Sequence, residues 1–147
     1  MTAETEIRAR LDRWFAGWSP GQAPFDAEAM RPLFAAGEIR VIDDFGDRVV
    51  TIDSFDGYAA TWTPVMAGFA DWAIRPHETP RIETSGDLAV VTFVFLGEGV
   101  TKTGEAASAA QHVTQAWRRQ GRTWVIVGEH ITSDDPKKFG APNESED

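Results

Sequence analysis

The sequence predicts one α+β domain, with helices gathered in the N-terminal half and packed on one face of a curved antiparallel sheet. Three observations predict it. Apolar residues recur at helical spacing early in the chain, β-branched and aromatic runs follow Gly68, and short turn-forming clusters separate those runs. A chain of 147 residues fits one domain and can bury roughly 70% of its unfolded surface. The domain is expected over residues 1–133, followed by a mobile charged tail over 134–147, where Pro136, Gly140 and Pro142 interrupt alternating charges.

In the first helix Ile7, Leu11, Trp14, Phe15 and Trp18 form one apolar stripe. Thr2 or Thr5 caps its start, and Ser19-Pro20-Gly21 stops it. A second helix begins at Asp26 and buries Met30, Leu33 and Phe34; Pro32 keeps it short or kinked, because proline lacks an N–H and crowds the preceding turn. Ile39–Asp44 reads as a strand that ends in Asp43-Asp44-Phe45-Gly46-Asp47. Asp53-Ser54 caps a third helix whose stripe is Tyr58, Trp62, Val65, Met66 and Phe69, with Pro64 bending it.

Four runs follow, Trp72–Thr84, Leu88–Leu96, Ala110–Arg119 and Thr123–Thr132. They are separated by Ser85-Gly86-Asp87, Gly97-Glu98-Gly99 and Gln120-Gly121-Arg122, which describes an antiparallel meander. Along Leu88–Leu96 both alternating sets are hydrophobic: Ala89, Val91, Phe93 and Phe95 on one side, Val90, Val94 and Leu96 on the other. A solvent-facing antiparallel strand alternates with polar residues. This sheet is therefore expected to be covered twice, by its own helices and by a second copy of the chain; a C-terminal segment folded over the outer face is the alternative cover.

Composition excludes several function classes. A net charge of −9 opposes the cationic footprint that nucleic acid requires. The absence of cysteine removes disulfides, iron–sulfur clusters, cysteine zinc sites and thiol nucleophiles. No stretch approaches the ~18 apolar residues of a membrane span, and the acidic start Met1-Thr2-Ala3-Glu4-Thr5-Glu6 is unlike a signal peptide. A soluble, cytoplasmic protein is expected. No phosphate loop, dinucleotide fingerprint or serine-nucleophile elbow occurs, and no cofactor is implied.

The order of elements, together with particular residues, resembles the nuclear transport factor 2-like (cystatin-like) superfamily and, within it, the SnoaL-like, ketosteroid isomerase-like branch. The residues are Trp14-Phe15-Ala16-Gly17-Trp18, Leu33-Phe34, Val41-Ile42-Asp43-Asp44 and Tyr58 to Phe69. Further on they are Gly86-Asp87-Leu88-Ala89-Val90, then Trp117 to Trp124, then Glu129-His130-Ile131-Thr132. The likeness runs over about residues 4–133. It implies a cone-shaped, strongly curved antiparallel sheet packed against three N-terminal helices. It also implies a deep apolar pocket for a small molecule and a homodimer through the sheet's outer face. The fold hosts isomerases, cyclases, dehydratases and binding modules alike, so it names no reaction.

In that branch an aspartate at the end of the first strand is the base that moves a proton beside a carbonyl. Asp43 or Asp44 takes that place here; strand alternation allows only one to face the pocket. A carboxylate in an apolar cavity has a raised pKa, as a base working near neutrality requires, whereas the same residues also form ordinary turns. His130 shares a strand face with Trp124, Ile126, Gly128 and Thr132, an otherwise core-like set, and relatives place a histidine here in the cavity. Either it contacts substrate or it is a core histidine bonded to a carbonyl. The facing of His112 depends on the hairpin register: a two-residue loop sets His130 opposite Val113, and a three-residue loop pairs the two histidines. Two neighbouring histidines with an aspartate could hold a divalent metal, although no helical His spacing supports one.

Isomerases of the branch build their oxyanion hole from a tyrosine on the first helix and a protonated aspartic acid on the strand that here carries Gln111, Thr114 and Gln115. Both donors are missing by type, and Tyr58, the only tyrosine, is the candidate substitute. Trp14, Trp18, Phe34, Tyr58, Trp62, Met66 and Phe93 are the expected pocket lining, with Gln115 and His112 as its polar groups. The alternative is that these aromatics simply fill a core.

Overall fold

A computed structural model describes residues 2–140. Helix α1 (Ala3–Gly17) starts at Thr2, whose hydroxyl accepts from the Thr5 amide, and buries Ile7, Leu11 and Trp14. The second expected helix is a 3-10 helix, Ala27–Leu33, with Pro32 inside it. Helix α2 (Phe55–Met66) is capped by Ser54, carries Pro64 in its last turn, and buries Phe55, Tyr58, Trp62 and Met66 on one face.

The strands are β1 (Glu38–Asp44), β2 (Val49–Ser54), β3 (Phe69–Pro76), β4 (Arg81–Ser85), β5 (Leu88–Thr101), β6 (Ala106–Gln120) and β7 (Thr123–Asp134). They form one sheet in the order β2-β1-β7-β6-β5-β3, with β4 also pairing along β5. All neighbours are antiparallel except β1 and β7. The chain is thus α+β with helices on one face of the sheet, as expected. The meander is completed by a parallel return of β7 beside β1.

The expected single run Trp72–Thr84 divides into β3 and β4, which pair with successive parts of β5, and three further local features depart from the sequence reading. Strand β2 was not foreseen, because only Ile52 in it is buried and no alternating run announces it. The Gly97-Glu98-Gly99 cluster is not a turn but the middle of β5, and the chain reverses after it, where the Thr101 amide donates to the Glu105 carbonyl. Gly97 serves a close approach instead: a Cβ there would sit 2.4 Å from the Trp72 ring.

The third departure matters most. Gln120 pairs with Thr123, so the hairpin has the two-residue loop, with Gly121 at φ 64° as a type II′ turn requires. The register then shifts: Trp117 pairs with Ile126 but Ala116 pairs with Gly128, leaving Val127 as an extra residue on β7. This β-bulge reverses side-chain parity beyond it. Trp124 and Ile126 face the core before the bulge, and Glu129 and Ile131 face it afterwards.

The core lies between the concave face of the sheet and the helices, centred on Trp14, Trp117, Trp124, Ile126 and Leu33. The convex face carries exposed Leu88 and Val90, at 59% and 48% of their full accessibility. Residues 134–140 of the expected tail close β7 and form a 3-10 turn, Pro136–Phe139, whose Phe139 ring lies between His77 and His112 at 5.2 and 5.6 Å. The rest of the expected mobile tail, 141–147, lies outside the described residues. No helix among the described residues is long and apolar enough to cross a membrane.

Candidate functional site

A cavity of about 230 Å³ opens between α1, α2 and the concave sheet. Trp14 and Trp18 line it from α1, Tyr58, Trp62 and Met66 from α2, and Trp72, Phe95 and Ile131 from the sheet. Its polar lining is sparse: Asp43, Tyr58, Ser108 and Gln111. Four aromatic rings form a connected wall, since Trp18 lies 6.0 Å from Tyr58 and 6.2 Å from Trp62, and Trp62 lies 6.1 Å from Phe45.

Asp43 is the carboxylate that faces this cavity. It sits on β1 opposite Ile131 of β7, retains 4% of its accessibility, and its Oδ1 has no hydrogen-bond partner among the described residues. Burial pushes its pKa up to about 6; Arg48 pulls it down and Asp44 adds to the rise. Asp44, the next residue, points the other way by strand alternation, and its Oδ1 accepts from the Gly46 amide to close the turn. The ambiguity between the two aspartates is therefore resolved in favour of Asp43 as the cavity residue.

Behind the cavity wall lies a second carboxyl group. Glu129 keeps 3% of its accessibility and stands on β7 just past the bulge. Its Oε2 accepts from Trp14 Nε1 at 2.9 Å and from Gln115 Nε2 at 2.8 Å, while Tyr58 Oη donates to its Oε1 at 3.4 Å. Trp18 Nε1 donates to Tyr58 Oη at 3.2 Å, and Trp117 Nε1 donates to Gln115 Oε1 at 2.9 Å. Burial raises the Glu129 pKa to about 7, against the lowering effect of the Gln115, Trp14 and Tyr58 hydrogen bonds, and the nearby Asp43 adds to the rise. Burial likewise pushes the Tyr58 hydroxyl well above the usual phenol range.

The histidine expectations fail for separate reasons: the two-residue loop turns His112 away from the face that carries Val113, Gln115 and Trp117, and the bulge turns His130 outward. His130 is exposed on the convex face, paired with Thr114, because the Val127 bulge exchanges its facing with that of Glu129. His112 is paired with Thr132 on the same convex face, and its Nε2 bonds Asp134 Oδ2 at 2.9 Å. Neither reaches the cavity, and no group of three metal-ligating side chains occurs among the described residues. Phe93 is core, packed edge-on against Trp14 at 5.4 Å, and Phe34 packs on Tyr58 at 4.8 Å. Gln115 is fully buried and serves Glu129 rather than the cavity; Thr114 is exposed. Gln111 does line the cavity. Sequence reasoning thus missed Glu129. Its one signal was an acid within the apolar run Trp124–Ile131, and the bulge that turns it inward leaves no mark on the sequence pattern.

No protein-family model matches the chain, and no curated protein matches it in sequence. Solved structures do match in shape. A nuclear transport factor 2-like superfamily protein from Salmonella enterica superposes with a TM-score of 0.77 at 17% identity, covering 95% of this chain and 96% of that one. A proposed dehydratase of the NTF2-like family from Streptomyces avermitilis gives 0.71 at 16% identity, over 91% and 99% of the two chains. The hub of a calcium/calmodulin-dependent kinase (CaMKII) from S. rosetta gives 0.64 at 16% identity, over 89% and 93%. The architecture expected from the sequence is thus the one observed: the chain has the nuclear transport factor 2-like, cystatin-like fold.

Proposed function

We propose that the chain is an acid–base enzyme of the SnoaL-like, ketosteroid isomerase-like kind, acting without a cofactor on a small apolar carbonyl compound. The observation that carries this reading is the Asp43 carboxyl, buried in an aromatic cavity with one oxygen unpartnered. A carboxylate needs hydrogen-bond donors for its charge, so one that lines an apolar cavity and has a buried oxygen without a partner favours a ligand that brings a donor hydrogen. With a pKa of about 6, Asp43 is largely ionised at neutrality yet basic enough to take a proton from carbon beside a carbonyl.

In the proposed step the carbon–hydrogen bond breaks, the proton goes to Asp43, and the electron pair moves into an enolate. Tyr58, which lines the same cavity, is the proposed donor to the developing oxyanion. Asp43 then returns the proton to another carbon, completing an isomerisation, or the enolate expels a β-hydroxyl with that proton as water, completing a dehydration. Likeness to a proposed dehydratase supports this reading. Deuterium exchange at the α-carbon of β-tetralone in heavy water tests it: Asp43→Asn is expected to slow enzyme-dependent exchange by at least roughly 100-fold. Undiminished exchange in that variant, or none in the unaltered protein across a panel of cyclic ketones, would overturn it.

A second reading, an association module, draws on the exposed Leu88 and Val90 of the convex face and on likeness to a kinase hub. The two are compatible, because a homodimer through that face leaves the concave cavity open. Val90→Asp is expected to shift the mass in solution from dimer to monomer; an unaltered mass distribution would remove this face from consideration.

A further inference from the structure

We infer that Glu129 is a positioning residue that sets the direction of the Tyr58 hydroxyl: with a proton on Glu129, Tyr58 turns its own hydrogen into the cavity and donates to a ligand's carbonyl or phenolic oxygen. The inference rests on the reading of the cavity as an acid–base site, and it adds the group that switches the oxyanion donor on.

Hydrogen-bond bookkeeping carries the argument. Indole nitrogens only donate. Trp117 Nε1 donates to Gln115 Oε1 at 2.9 Å, so the amide of Gln115 must present its NH₂ to Glu129. Glu129 Oε2 therefore receives two N–H groups, from Gln115 and Trp14, and has no room for a proton of its own. When Glu129 is neutral its proton must sit on Oε1, and the neighbour of Oε1 is Tyr58 Oη, 3.4 Å away.

Tyr58 has one hydrogen. Trp18 Nε1 already donates to its oxygen at 3.2 Å. With Glu129 ionised, the Tyr58 hydrogen is drawn to Oε1 and is lost to any ligand. With Glu129 neutral, Oε1–H donates to Tyr58 Oη, and the tyrosine hydrogen must leave that line. It then turns toward the cavity, which Tyr58 lines. At 3.4 Å the Tyr58–Glu129 contact is the longest in the cluster, so this hydrogen is the one least firmly held.

The titratable groups that face Glu129 are Tyr58 on α2 and Asp43 on β1; α1 presents Trp14 and β6 presents Gln115, neither of which titrates. Asp43 in turn feels Arg48 and Asp44. A Glu129 pKa of about 7 places the change of state near neutrality.

Tyr58 is the only tyrosine in the chain, so a protein labelled at the tyrosine Cζ carbon gives one NMR signal that needs no assignment. Its shift is expected to titrate near neutrality in the unaltered protein. It should stay at the low-pH position throughout in Glu129→Gln, whose NH₂ mimics the protonated acid toward Tyr58. In Asp43→Asn the titration should persist, moved to lower pH by loss of the neighbouring charge. A flat signal in the unaltered protein between about pH 5 and 9 overturns the inference without recourse to any variant. So does a titration that survives in Glu129→Gln.

Ligand binding supplies the second readout. In the Asp43→Asn background the Kd for β-tetralone is expected to rise roughly fivefold as Glu129 ionises, the size of one hydrogen bond. With Glu129→Gln added it should hold its low-pH value; equal pH dependence in both overturns the inference. The two proposals fail separately. Lost exchange in Asp43→Asn with a flat Tyr58 signal sinks only this inference, whereas undiminished exchange with a titrating Tyr58 sinks only the proposed reaction.

Discussion

The two faces of β7 carry neighbouring titratable residues with opposite fates. Glu129, on the concave side, is 3% exposed and receives three hydrogen bonds from α1, α2 and β6. His130, next along the strand, stands exposed on the convex side opposite Thr114. Residue type alone would have chosen the histidine for the interior, because a neutral imidazole is far cheaper to bury than a carboxylate. The choice was instead made by one extra residue, Val127, in the strand leading to them. A buried acid surrounded by donors is a constructed feature, whereas an exposed histidine on a sheet surface asks for no explanation.

Inserting one alanine between Gly128 and Glu129 is the harshest way to break this comparison. A second extra residue cancels the parity change made by Val127, so His130 turns inward while Glu129 and Ile131 turn out. Beyond that point the strand loses its apolar contacts, and the Trp14 and Gln115 donors lose their acceptor. We expect a loss of more than about 4 kcal/mol, enough to abolish a cooperative thermal transition. A variant that melts like the unaltered protein would show that the strand absorbs the insertion as a wider bulge.

The pH dependence of stability sharpens the same comparison. Asp43 and Glu129 both have folded-state pKa values raised above their ordinary values of 3.8 and 4.5, to about 6 and about 7. In that window the folded chain binds more protons than the unfolded one, so unfolding free energy falls as pH rises. Stability is therefore fully present below about pH 4 with respect to these two groups and is lost between there and about pH 7, on the order of 3 kcal/mol for each. Urea denaturation at pH 5 and pH 8 checks this, and Glu129→Gln should flatten the upper part of the curve. A midpoint that rises across the window would contradict the burial of both groups.

The smallest effect is expected on the convex face. His130→Gln and His112→Gln should each change stability by less than about 0.5 kcal/mol, as exposed substitutions do, and leave exchange chemistry untouched. A tenfold loss of exchange in His130→Gln would return that residue to the site.

Much of the fold was legible because it rests on local rules. The stripe Ile7, Leu11, Trp14 needs a helix to bury it, Ser54 and Thr2 cap as their type suggests, and Gly121 marks a tight hairpin. The 3-10 form of Ala27–Leu33 follows from Pro32 in the same way. The lining of the cavity was largely legible too, since Trp14, Trp18, Tyr58, Trp62 and Met66 lie on faces that helical spacing alone defines. Strand residues were less so. Gly97-Glu98-Gly99 has the composition of a turn, but the demand there was for space beside Trp72.

By itself, then, the sequence determined the class of fold, the helical walls of the cavity and the presence of a carboxylate at the end of β1. These depend on spacing within a single element, where the period of the backbone dictates which residues share a face. The tertiary structure alone decided that Asp43 rather than Asp44 enters the cavity, and that Glu129 rather than His130 turns inward. It also decided that Trp14, Gln115 and Tyr58 meet on one carboxyl group. Those outcomes hang on inter-strand register and on contacts between residues as far apart as Trp14 and Glu129, and a bulge of one residue is enough to reverse them.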